Sequence, residues 1–86
     1  MQNTVTQQDI DALISASNIQ VATIHEKVTV MHVKLPSGFV LTETSGAVDK
    51  ANYSEETGAR VCLEKIKSKL WYLEGYRLQC AVAKQS

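Results

Sequence analysis

The sequence predicts an α+β domain: a small antiparallel sheet, built on a hairpin over residues 27–44, packed against one long C-terminal helix, with a short helix at the N-terminus. Three observations predict it. Apolar residues at Ala59, Cys62, Leu63, Ile66, Leu70 and Leu73 recur at spacings of three and four, one stripe of a 3.6-residue helix. The run KVTVMHVKL at 27–35 is rich in β-branched residues and alternates. A second alternating run at 39–44 follows it after three turn-forming residues, which is a hairpin signal.

Taken in order, Thr6 opens the first helix. Its hydroxyl can cap, Asp9 stands at the third helical position, and Val5 and Ile10 are spaced as a hydrophobic staple. Ile10, Leu13 and Ile14 form its apolar stripe, which fades over residues 15–18. A helix this short must dock on something to persist. Residues 19–25 fit a short strand, but both alternating sets are mixed, so its register is poorly specified.

In the run 27–35, Val28, Val30 and His32 face one way, and Thr29, Met31, Val33 and Leu35 the other. Both faces carry apolar groups, which suits a central strand or one whose outer face meets another chain. Pro36, Ser37 and Gly38 make the turn: proline fixes one dihedral and glycine tolerates a positive one. In the return strand Phe39, Leu41 and Glu43 share a face, and Val40, Thr42 and Thr44 the other. Residues 45–53 are a loop, which Val48 and Tyr53 anchor to the core.

The long helix starts at Ser54, with Glu55 and Glu56 on the first turn where the helix dipole favours negative charge. Asn52, with Glu55 three residues on, is an alternative cap. Gly58 costs roughly 1 kcal/mol against alanine inside a helix. It points either to close packing against another backbone or to a surface where a ligand or partner comes near. Gly75 is read as a left-handed C-terminal cap. Beyond it, residues 76–82 fit a helix or a strand, and the alternation of Tyr76, Leu78, Cys80 and Val82 suits an added strand. Residues 84–86 should fray.

The chain has 86 residues, one domain's worth, and room for one modest core. Nine basic and nine acidic residues give zero net charge, which argues against a dedicated nucleic-acid coat. No apolar run is long enough to span a membrane, and no basic-then-apolar leader marks secretion. Two cysteines make no disulfide framework, and Cys62 on the apolar stripe reads as a buried free thiol. The expected setting is cytosolic and reducing.

Residues 38–76 resemble a family of small proteins encoded by tailed phages and prophages. The matching features are Gly38-Phe39, Glu43-Thr44-Ser45, Val48-Asp49, Asn52-Tyr53, Gly58 and Arg60, then Lys69-Leu70-Trp71 and a closing WxLEGY-type run through Leu73, Glu74, Gly75 and Tyr76. Members often carry proline where this chain has Tyr72, so the helix here can run further. They often carry glycine where it has Thr42. The resemblance implies a phage accessory gene product acting in the host cytoplasm and brings no catalytic residues with it.

The residues themselves offer little chemistry. His25 and His32 are seven apart, on opposite faces of a continuous strand, and no C-x-x-C or H-x-x-x-H spacing occurs. No metal or cofactor is expected. Cys62 and Cys80 lack local signatures of a nucleophile, so a triad could arise only through the fold. Glu43, Asp49 and Glu74 could converge; singly, Asp49 reads as a loop hydrogen bond and Glu74 as a solvated helix end. Binding is better supported. Asn52, Tyr53, Arg60, Lys67, Trp71, Tyr76 and Arg77 combine aromatic rings with cations, which suits either a nucleotide or a protein interface.

Three functions follow from this reading. The first is a non-catalytic phage protein that binds and blocks a host immune protein. The second is an oligomeric sponge that sequesters a cyclic nucleotide immune signal between subunits. The third is a small enzyme acting on that signal. Exposed sheet edges favour a homo-oligomer.

Overall fold

The computed structural model describes residues 4–85. Helix α1 spans Gln7–Ala16, strands β1, β2 and β3 span Asn18–Ile24, Val28–Lys34 and Val40–Gly46, and helix α2 spans Glu55–Lys84. The architecture is the α+β one predicted: a three-stranded antiparallel sheet, a short N-terminal helix and one long C-terminal helix.

The sheet order is β1-β2-β3, so the β-branched strand is central. Residues 19–25, whose register the sequence leaves open, supply β1, which pairs from Asn18↔Lys34 to Ile24↔Val28. Strand β3 pairs from Lys34↔Val40 to Val28↔Gly46. The turn into β3 forms as expected: the Gly38 amide donates to the Leu35 carbonyl at 2.8 Å, and Gly38 has φ of 96°. The turn between β1 and β2 is unusual. His25 and Glu26, neither of them glycine, have φ of 54° and 61°, and the Lys27 amide closes on the Ile24 carbonyl at 3.2 Å. Two consecutive positive dihedrals are those of a type I′ turn, whose usual residues are Asn and Gly.

The core lies between one sheet face and α2. Thr29, Met31 and Val33 of β2 and Leu41 of β3 meet Cys62, Ile66 and Leu70 of α2, and Ile10 of α1 closes one end. Thr6 caps α1 through a full capping box with Asp9, as the sequence signalled. Helix α1 docks on α2, with Ile10, Leu13 and Ile14 against the core. Ser54 caps α2, its hydroxyl accepting from the Thr57 amide at 3.2 Å, so the alternative start at Asn52 is not used.

Two expectations are corrected. Gly75 does not end α2, which runs unbroken for 30 residues; of the two readings open for residues 76–82, helix or strand, the structure has the helix. A Cβ at Gly75 would meet nothing, so the glycine weakens the helix only through its intrinsic propensity. The uninterrupted helix outreaches the sheet and sets the molecule's length, 55 Å against widths of 20 and 17 Å. The radius of gyration is 15.5 Å, above the roughly 12 Å of a compact chain this size. Val48 does not anchor the 45–53 loop; it is 98% exposed.

Candidate functional site

The loop entering α2 is held by polar contacts. The Asp49 carboxylate accepts from the Ala51 amide at 2.9 Å and starts a 3-10 turn over Lys50–Asn52. Tyr53 follows, and its hydroxyl stands 2.6 Å from the Thr29 hydroxyl and 2.8 Å from that of Thr23. Thr23 in turn donates to the Glu55 carboxylate. An ionised carboxylate only accepts, so the proton order runs from Thr29 to Tyr53 to Thr23 to Glu55. Tyr53 therefore ties β1, β2 and the start of α2 together, which is the anchoring role read from the sequence.

Beside this chain of hydroxyls lies a polar cleft of about 190 Å³, lined in part by Ser45, Asn52, Tyr53, Ser54 and Thr57. It contains two of the predicted binding residues, Asn52 and Tyr53. The remaining five do not join them. Arg60 is exposed on the outer surface of α2, in a shallow depression with Val61, Glu64, Lys65 and Ser68. Lys67 and Trp71, four apart on α2, share a flank with Glu74 and Leu78. Arg77 belongs to a groove of about 360 Å³ between the two helices, which also takes in Val5, Asp9, Glu74 and Leu78. Its guanidinium donates to both carboxylate oxygens of Glu74, at 3.0 and 3.1 Å. That hydrogen-bonded pairing and the charge of Glu74, with a smaller contribution from Asp9, raise the Arg77 pKa. Arg77 is already paired within its own helix.

Tyr76 is 69% exposed and lies on the α2 flank of Lys69, Tyr72 and Leu73, toward β3. Here the structure assembles a feature that the predicted set misses. Phe39, just before β3, and Leu41 of β3, with Ser68, Lys69, Tyr72 and Leu73 of α2, line a groove of about 360 Å³ whose walls are almost entirely carbon. Phe39 is 55% exposed and Tyr72 82% exposed. The available signals were the alternation of Phe39 with Leu41 and the four-residue spacing of Tyr72 and Tyr76. Neither says that the strand and the helix meet.

The three carboxylates do not form a shared centre. Glu43 pairs with Lys69, Asp49 caps the 3-10 turn and Glu74 binds Arg77. Among the described residues, no group of three or more His, Cys, Asp or Glu side chains could hold a metal ion. His25 is in the turn, and His32 contacts the Thr42 hydroxyl at 2.9 Å. Cys62 is fully buried with its thiol near the Thr29 carbonyl at 3.9 Å, while Cys80 is an exposed free thiol. Burial pushes the Cys62 pKa up, partly offset by Lys65. No described helix is long and apolar enough to cross a membrane.

No curated protein and no solved structure matches the chain. A family model does: residues 5–82 match the one described as the phage protein (N4 Gp49/phage Sf6 gene 66) family. The match takes in both helices' starts and all three strands, so this chain belongs to the N4 Gp49/phage Sf6 gene 66 family of phage proteins.

Proposed function

We propose that this protein is a non-catalytic phage accessory protein that counters host antiviral defence in the host cytoplasm by binding and blocking a host protein. The observation that carries the reading is the apolar groove between Phe39 and Tyr72, with exposed Tyr76 on the same helix flank. Aromatic residues around a desolvated pocket are the usual anchors of a protein interface. The groove suits a bulky apolar side chain presented by a partner. The WxLEGY-type run contributes Leu73 and Tyr76 to this flank. The test is binding: the chain, mixed with host immune complexes, should form a complex that Tyr72→Ser and Phe39→Ser disrupt.

A second reading, the oligomeric sponge, is favoured by one observation, the polar cleft holding Asn52 and Tyr53. Its volume of about 190 Å³ is below the roughly 300 Å³ at which small-molecule pockets begin, so a second subunit would have to complete it. A sponge gives back intact nucleotide on heating; a protein blocker carries none.

A further inference from the structure

The two outer strands of the sheet are treated differently. At β3, Lys65 of α2 donates to the Thr44 carbonyl at 2.8 Å, and Lys69 pairs with Glu43. Charges and a covering helix are the usual means of keeping an edge strand from pairing further. At β1 the strand itself carries none of these means, and α2 reaches it only at one end, through Glu55 at Thr23. The strand NIQVATI has no charged residue and no proline, and its ladder to β2 is unbroken over seven residue pairs. All seven residues are exposed, because α2 lies across β2 and β3 and leaves β1 uncovered.

We propose that β1 is the edge through which two copies of this chain pair antiparallel, joining two three-stranded sheets into one of six strands. A two-fold axis demands a surface complementary to itself. This strand qualifies, since it is neutral along its length and the whole chain has zero net charge. An axis through Val21, the middle residue, lets all seven residues pair. Val21 then meets the partner's Val21, Ile19 faces the partner's Thr23, and Ile24 faces the partner's Asn18. Ile19 and Val21 pair with Val33 and Met31, so they continue the apolar row of the helix-covered face. At 39% and 40% exposure they are left partly open within one chain.

The test is sedimentation of the full chain at micromolar concentration, beside Val21→Lys and, as a control at the other edge, Thr42→Lys. The wild type and the control should run at twice the 9.5 kDa chain mass, and Val21→Lys at the chain mass with an unchanged circular-dichroism spectrum. Should Val21→Lys fail to fold, Val21→Cys in a Cys80→Ser background replaces it. Mild oxidation should then link two chains at position 21. A monomeric wild type, a Val21→Lys protein that stays dimeric, or no cross-link in the folded Val21→Cys protein overturns the proposal. So does a host polypeptide, rather than a second copy, that is bound by the wild type and lost with Val21→Lys.

Discussion

Gly58 lies so close to Thr29 that a Cβ added to the glycine would stand 2.7 Å from the Cβ of Thr29 and overlap its hydroxyl. The close approach is what sets α2 down on β2. It is helix against strand side chain, rather than the backbone-to-backbone contact the sequence suggests. Alanine at this position gains roughly 1 kcal/mol of helix propensity. It also overpacks a fully buried site, which costs roughly 1–3 kcal/mol or more where the neighbour cannot move. Gly58→Ala should therefore lose stability, by up to about 2 kcal/mol net. Urea denaturation measures it directly.

Tyr53→Phe removes the middle link of the chain from Thr29 to Glu55. The Thr29 hydroxyl is buried and would lose its acceptor. Leaving a buried donor unpaired costs roughly 1–3 kcal/mol. Thermal unfolding should show that loss, whereas Tyr76→Phe, at an exposed ring, should leave the midpoint unchanged.

His25 occupies a left-handed conformation in the β1–β2 turn. For a residue with a Cβ that conformation costs roughly 1–2 kcal/mol, part of which glycine returns as extra freedom in the unfolded chain. His25→Gly should stabilise the protein by about 0.5–1 kcal/mol, seen as a raised urea midpoint with an unchanged slope.

The two thiols should separate cleanly. The Cys62 pKa is raised above its ordinary 9.0 by burial. A raised folded-state pKa means that the folded protein holds this proton more tightly than the unfolded chain. The associated stability is fully present below about pH 9 and is lost as pH rises through the folded value. A thiol reagent should label Cys80 alone at neutral pH, and both cysteines only in denaturant.

Much of this fold is legible in the sequence, and the exceptions have physical causes. The start of α2 is signalled by Ser54 and by the stripe of Cys62, Ile66 and Leu70, because capping and burial both act there. Its far end is misread because, past Leu73, the helix leaves the sheet and meets only α1. Gly75 and the alternation of Tyr76, Leu78, Cys80 and Val82 then carry no signal of packing against a sheet. Strand β1 gives no register for a similar reason: no residue of it is buried, so burial selects no alternating pattern. The candidate site was partly visible. Asn52 and Tyr53 do share a cleft, but Arg77 is taken by Glu74, and the Phe39–Tyr72 groove depends on a strand–helix meeting that no local spacing encodes.

The groove also makes a prediction about binding. Phe39 and Tyr72 are exposed, so Phe39→Ser and Tyr72→Ser should alter stability by no more than about 0.5 kcal/mol. If they anchor a partner, each should weaken the complex by roughly tenfold or more. Arg60→Ala, on the outer surface of α2, should leave the complex intact.

The most direct test of the blocker reading is native mass spectrometry of the protein recovered from phage-infected host cells, beside Tyr72→Ser. The account predicts a stoichiometric complex with a host immune polypeptide in the wild type, lost in the variant. An oligomer of this chain carrying a small nucleotide-sized mass, with no host polypeptide and no effect of Tyr72→Ser, would contradict it and favour the sponge.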